Sequence, residues 1–225
     1  MKDEFVVTQT DVLEAKLSKE RVPEVYAAKA RFYDVWGRFT ESKAQARSLE
    51  IAGIQDGETI LEVAVGTGLT FTRVLRQNPS GWNEGLDLTE AMLAKARKKA
   101  AQSGVSNYHL QVGDAYELPF ENGRFDLLIN NYMFDLLPKA DFPLVLAEFY
   151  RVLKPEGRLL LVNMAKGRRW YNHIWEKLYQ RSETSMAGCR GVSMAAPLAD
   201  AGFNLVHHEY ISQMTFPSEI LLAEK

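Results

Sequence analysis

The sequence predicts an α/β protein: a doubly wound, mostly parallel sheet with an antiparallel last strand, behind a helical N-terminal cap. Three observations carry this expectation. From about residue 53 onward, short apolar runs alternate with segments of helical period, as in strand–helix–strand crossovers. Runs such as TILEVAV are apolar at successive positions, the mark of a strand buried on both faces. The two final strand-like runs, FNLVHHEYI and FPSEILLAE, follow one another without a helix between them, which predicts an antiparallel pair.

Residues 1–52 read as helical: DVLEAKLSKERV, then PEVYAAKARFYDVW after Pro23, then TESKAQARSLEIA before Gly53. They form the predicted cap, and 53–225 the α/β unit. TILEVAV is the first strand, WNEGLDL the second, YHLQVGDA the third and RFDLLINN the fourth. Thr89 is placed to cap the helix TEAMLAKARKKAAQ. DFPLVLAEFYRVLKPEG has the clearest helical period. Phe142, Val145, Leu146, Phe149, Val152 and Leu153 fall on one face, and Pro155 and Gly157 stop it. RLLLVNM is the fifth strand. Helical stretches over about 169–181 and 193–201 precede the final pair.

Composition narrows the class. The chain has 225 residues, 46% hydrophobic and 25% charged, as in an ordinary soluble globular domain. A formal net charge of -2 leaves no basic footprint, so no nucleic-acid partner is expected. Cys189 is the only cysteine, which excludes an internal disulfide and a cysteine zinc cluster, and no metal is expected. The acidic start MKDEF and the lack of a long apolar run predict neither signal peptide nor membrane span, hence a cytoplasmic protein.

The chemistry is concentrated at ILEVAVGTGLTFTRVL, where Gly66-Thr67-Gly68 interrupts a strand and a helix begins. Glycines let a ligand approach the backbone closely. A dinucleotide fingerprint would place a third glycine where Phe71 stands, and a triphosphate loop would need Gly-Lys-Ser/Thr; neither is present. Glu62 inside the strand would repel phosphate but accept from an ammonium group, which points to a zwitterionic cofactor without phosphate. The alternative is a strand carboxylate satisfied by backbone amides. Asp87 ends the second strand, where a carboxylate can take ribose hydroxyls. Asp114 ends the third, placed to accept from an adenine amino group while the Ala115 amide donates to the ring. Asn130 and Asn131 close the fourth. Four consecutive strands with polar ends at one rim form the signal, although any single strand-end Asp can be a helix cap.

These stretches resemble the class I S-adenosylmethionine-dependent methyltransferases, closest to the ubiquinone/menaquinone-biosynthesis type. LEVAVGTGLT, GLDLTEAML, VGDAYELPFENGRFDLL and EFYRVLKPEGRLLLVN occur in the family's order and cover about residues 59–165. The resemblance implies a Rossmann-like, seven-stranded sheet and S-adenosyl-L-methionine as cofactor, lying across the first four strands. It implies that Glu62 and Gly66 face the methionine part, with Gly68 shaping the loop. Asp87 would hold the ribose, Leu88 and Met92 flank the adenine, and Asp114 and Ala115 read its edge. Asn130 would meet the methionine end through its backbone, and Tyr33 in RFYDVWG would help close the site. Ala64 stands where the family commonly has Gly, and Pro155-Glu156-Gly157 replaces Pro-Gly-Gly.

The expected activity is methyl transfer to a small-molecule acceptor at oxygen, nitrogen or carbon, a lipid or quinone-like molecule among the candidates. The alternative is a silent nucleoside-binding domain serving a partner. Tyr33, Tyr132 and His173 are the candidate residues lining the acceptor side. Lys166, Arg168 and Arg169 beside Trp170, Tyr171 and Trp175 suit a peripheral membrane contact or an anionic substrate, with a solvated helix start as the simpler reading. Arg190 is a second candidate anion contact. Lys95, Arg97, Lys98 and Lys99 read as a solvent-facing stretch.

Overall fold

The structure is a computed structural model that describes residues 15, 37, 39–167, 172–181 and 188–225. Of the predicted cap, only the segment around Ser42–Ala52 (α1) lies within these residues, and Tyr33 lies outside them. The elements that follow are β1 (Thr59–Val63), α2 (Leu69–Gln77), β2 (Trp82–Asp87), α3 (Glu90–Ala101), β3 (Tyr108–Val112) and β4 (Phe125–Asn131). Then come a short 3-10 turn at Lys139–Asp141, α4 (Phe142–Val152), β5 (Leu153–Met164), α5 (His173–Arg181), α6 (Ala195–Asp200), β6 (Asn204–Gln213) and β7 (Phe216–Glu224).

The seven strands form one sheet in the order β3-β2-β1-β4-β5-β7-β6. The first five pair in parallel, and β7 runs antiparallel to both β5 and β6. The two-sided burial read from the sequence is borne out. In β4, Leu128 joins the core under α4, whereas Leu127 and Ile129 join the core under α1. In β5, Leu159 and Leu161 alternate with Leu160 and Val162 in the same way. Phe142, Val145, Leu146, Phe149 and Val152 of α4 are all buried, each contributing roughly 1.5–3 kcal/mol of apolar burial.

Two boundaries differ from expectation. Helix α4 ends at Val152, and β5 starts at once as Leu153 pairs with Phe125, so the chain leaves the helix before Pro155 rather than at it. The sheet partner outcompetes a last helical turn. Thr89 does occupy the N-cap position of α3, but its side chain makes no capping bond. Its amide instead donates to Asp87.

Strand order reverses between β1, with β2 on one side, and β4 on the other. Crevices of doubly wound sheets open at such a switch point, beyond the carboxyl ends of the strands. The register keeps those ends level: Val63 lies beside both Leu86 and Asn130, and Asp87 beside Val112.

Candidate active site

A cleft enclosing about 900 Å³, part of it open to solvent, lies over the ends of β1 to β4. Its loop wall is fixed by backbone geometry. Gly66 (φ 56°) and Gly68 (φ 81°) are both left-handed. The Gly68 amide donates to the Val65 carbonyl at 3.1 Å. A Cβ on Gly68 would stand 2.8 Å from the Ala96 Cα, so this glycine lets α3 close against the loop. A Cβ on Gly66 would meet nothing within 4 Å, so there the requirement is conformational. Phe71, at the position of the missing third glycine, is buried and stacks edge-on to Tyr108. A core aromatic fills the space that a dinucleotide fold leaves for close helix–strand packing.

Asp87 lines the cleft and ties its walls together. Its Oδ2 accepts the Gly66 amide at 2.7 Å, and its Oδ1 accepts the Thr89 amide at 2.8 Å. Burial pushes the carboxyl up from its ordinary value, against the lowering effect of those amides. Glu62 sits one strand inward, between Gly85 and Ile129, and is buried. It is not part of the cleft surface, and its Oε2 is sealed from solvent without a hydrogen-bond partner among the described residues. Burial, and then the neighbouring Asp87, push its carboxyl well above the usual carboxylate range.

Leu88, Met92, Asp114 and Ala115 also line the cleft, so the structure brings these together with Gly66 and Asp87. Asp114 lies two residues beyond the end of β3 rather than in it, and its Oδ1 accepts the Tyr116 amide at 3.1 Å, which holds the carboxylate there. Asn130 is different. It lies beneath the surface, its Nδ2 donating to the Val63 carbonyl at 2.9 Å. Its neighbour Asn131 lines the cleft instead, with both side-chain polar atoms buried and unpaired among the described residues.

Of the acceptor-side candidates, Tyr132 lines the cleft with a left-handed backbone (φ 52°). Its hydroxyl lies 2.8 Å from Ser218 Oγ, and burial pushes its titration well above the ordinary tyrosine range. Tyr33 lies outside the described residues, and of His173 only its place as the first residue of α5 is described. Met133, Leu136, Leu137 and Pro138 complete an apolar wall that sequence reasoning missed. Its only trace in the sequence is the apolar run after Asn131.

Two cationic expectations change. Arg190 is buried and donates from Nη1 to the Asp135 carbonyl at 2.8 Å and from Nη2 to the Leu137 carbonyl, so its guanidinium supports the main chain of the cleft wall. Lys99 donates to the Thr67 carbonyl at 3.0 Å and so leaves the solvent-facing stretch, whereas Lys98 is exposed and Arg97 pairs with Glu90 at the surface as expected of it. Arg168, Arg169, Trp170 and Tyr171 lie outside the described residues. Asp135 is fully buried. Neither of its oxygens makes a well-aligned hydrogen bond, although the Met164 amide and the Cys189 thiol stand near, and burial pushes its carboxyl up to about 7.

The comparisons with known proteins fit this geometry. Residues 60–157 match the model of a family described as a methyltransferase domain. The demethylmenaquinone methyltransferase of Lactococcus lactis is 34% identical over 65% of this chain, and the chain spans 60% of that relative's length. The ubiquinone/menaquinone biosynthesis C-methyltransferase UbiE of Saccharophagus degradans is 33% identical over 74% of this chain and 68% of its own length. Among solved structures the cyclase SpnF has the same fold, with a TM-score of 0.75 at 18% identity over 95% of this chain and 98% of that one. A matched methyltransferase domain and a relative similar along most of both chains, on a sheet of this order, place the chain in the family of class I S-adenosylmethionine-dependent methyltransferases.

Proposed function

We propose that this protein transfers a methyl group from S-adenosylmethionine to a small, apolar acceptor of lipid or quinone-like character. One observation carries the cofactor assignment: the buried, unpaired Oε2 of Glu62 next to Asp87, at the switch point of the sheet. Burial first, and then the neighbouring Asp87, disfavour the charge on Glu62, and such a pair of carboxyls calls for a cation. An ammonium group supplies one, whereas a pyrophosphate would worsen the repulsion.

S-adenosylmethionine, when bound, supplies a methyl group on a positively charged sulfur. In this reading the open backbone at Gly66 receives its amino-acid end, and Glu62, which lies behind the cleft surface, balances the ammonium charge once that end is seated. Beyond the two amides and the Thr89 side chain, the oxygens of Asp87 keep lone-pair capacity and take the ribose hydroxyls. Asp114 and the Ala115 amide read the adenine edge, and Leu88 and Met92 flank its ring. The backbone of Asn130 meets the methionine end, and the Asn131 side chain, which lines the cleft, is a further polar group there. Met133, Leu136, Leu137 and Pro138 keep water away from the acceptor. Tyr132, Tyr33 and His173 are assigned to the acceptor side, Tyr132 as a neutral hydroxyl and ring. Positioning of the reacting groups can supply about 7–11 kcal/mol of the barrier. The quinone-like acceptor draws support from the names of the two curated relatives and from the apolar wall.

Isothermal titration of the protein with S-adenosylmethionine tests the assignment. Saturable binding that weakens at least about tenfold in Asp87→Ala is expected. An absence of heat with this cofactor, together with binding of a nicotinamide dinucleotide, would overturn it.

A further inference from the structure

The β6–β7 hairpin closes with two residues, Met214 and Thr215, both left-handed (φ 46° and 67°). Such a turn ordinarily uses Asn-Gly, because other side chains are strained at positive φ. Here the first position carries a methionine that is 69% exposed. An apolar side chain stands where the backbone disfavours it, and no core among the described residues receives it.

Three other exposed apolar residues lie around this tip. Ile174 (54% exposed) and Leu178 (37%) are one turn apart on α5. That helix is docked on the hairpin: Trp175 Nε1 donates to Thr215 Oγ1 at 3.2 Å, and Asn172 Nδ2 to the Thr215 carbonyl at 2.6 Å. Phe39 (55% exposed) precedes α1, whose Lys43 amide donates to Gln213 at 2.8 Å. The cluster faces the same rim as the cleft, because β7 begins opposite Met164 at the carboxyl end of β5. An aromatic row joins the two. Tyr132 in the cleft wall is 6.1 Å from Phe216, and Phe216 is 5.3 Å from Trp175. Helix α1 carries Lys43 and Arg47 against Glu50, and α5 carries Lys177 and Arg181 against Glu176, so both helices have a basic excess although the whole chain carries a formal net charge of -2.

We propose that this patch is a docking surface for an anionic lipid bilayer, from which the methyl acceptor enters along the aromatic row. Exposed apolar side chains, with the exposed Lys43 and Lys177 on the same two helices, match the interior and the headgroups of such a membrane. Among the described residues no helix is long and apolar enough to span a bilayer, so the contact is peripheral. The proposal rests on the methyltransferase reading and narrows its acceptor to a lipid-borne one.

Sedimentation with vesicles of phosphatidylcholine, with and without phosphatidylglycerol, tests it. The protein is expected to pellet with the anionic vesicles and to be released by salt, as charge screening requires. Glutamate at Ile174, Leu178 and Met214 together should cut partitioning roughly tenfold or more. Met214→Asn alone, which relieves the turn, should weaken pelleting while the fold melts no lower. Titration with S-adenosylmethionine on the same samples separates the two readings. Unchanged cofactor binding without pelleting overturns the membrane surface alone, whereas lost cofactor binding in the wild type overturns the methyltransferase assignment. Pelleting that the triple variant retains, or a dimer in light scattering that the variant dissociates, also overturns the surface.

Discussion

Asp87 accepts the Gly66 amide at 2.7 Å and so fastens the glycine loop after β1 to the end of β2, before any ligand is considered. With the Thr89 amide on its other oxygen, this one carboxylate satisfies a donor from each side of the switch point. Removing it leaves both amides in want of an acceptor. Asp87→Ala should therefore destabilise the cofactor-free protein by about 1–3 kcal/mol, apart from its effect on binding. Urea unfolding without ligand measures this, and an unchanged midpoint would show that the loop holds itself.

Glu62 should behave in the opposite sense. Its carboxyl titrates above the ordinary value because burial and Asp87 both disfavour its charge. A carboxyl raised in the folded state keeps its proton there while the unfolded chain loses one. Its stabilising share is thus complete below the unfolded value and is lost as pH rises through the folded one. Glu62→Gln removes that loss. The variant should melt higher than wild type at pH 8, with the gap closing toward pH 4.5, and should bind S-adenosylmethionine at least about tenfold more weakly. A variant that gains stability and keeps full cofactor affinity would remove Glu62 from the binding site.

The two loop glycines should separate into different defects. Gly68→Ala drives a methyl group to 2.8 Å from Ala96 Cα, so α2 and α3 must part, and several kcal/mol of stability should be lost. Gly66→Ala meets no atom within 4 Å and bears only the left-handed penalty, about 1–2 kcal/mol. It does put a methyl group where the ligand must approach. Calorimetric melting should rank Gly68→Ala as the less stable. Titration should show Gly66→Ala folded but with reduced cofactor affinity.

The same geometry explains how far the sequence could be read. Strand order and burial were legible because each parallel strand is apolar on both faces, and because FNLVHHEYI and FPSEILLAE lack a helix between them. The rim was legible because Asp87 sits at a strand end, where side-chain direction follows from register, and Asp114 two residues beyond one. Asn130 and Asn131 were not separable, since a shift of one residue decides which of two asparagines faces the cleft. The wall from Met133 to Pro138 was not legible either. It is a loop whose path is set by contacts far away in the chain, chiefly the buried Arg190 on the carbonyls of Asp135 and Leu137. Local pattern carries no signal for such a clamp, so Arg190 read as a candidate anion contact.

Both departures from the family pattern fall where the backbone is left-handed, with φ 60° at Ala64 and 64° at Glu156. The replaced glycines were therefore conformational. Glu156 is exposed, so its side chain has little packing to lose. Glu156→Gly removes a left-handed penalty of about 1–2 kcal/mol and adds roughly 0.5–1 kcal/mol of chain entropy. A net gain of about 0.5–1 kcal/mol is expected in denaturant midpoint, with cofactor binding unchanged. A loss of stability would mean that the glutamate side chain makes a contact worth more than the strain.

Asp135 offers the sharpest pH test. Burial is the main cause that lifts its carboxyl to about 7, and the nearby Arg190 only partly opposes it. The folded protein retains this proton while the unfolded chain releases it near 3.8, so stability falls across that interval and is level above it. Asp135→Asn keeps the shape and abolishes the titration. The variant should match wild type near pH 4, then gain on it steadily as pH rises to about 7, and hold that lead beyond. Hydrogen-bond losses at the new amide reduce the lead without changing its pH range. Arg190→Met should move wild-type-like titration of Asp135 upward and cost about 1–3 kcal/mol more, because the Leu137 carbonyl loses its guanidinium donor and the Asp135 carbonyl keeps only the backbone amide of residue 190. Thermal melts from pH 4 to 9 measure both, and a gap between Asp135→Asn and wild type that does not vary with pH would mean the carboxyl is neutral, or charged, throughout.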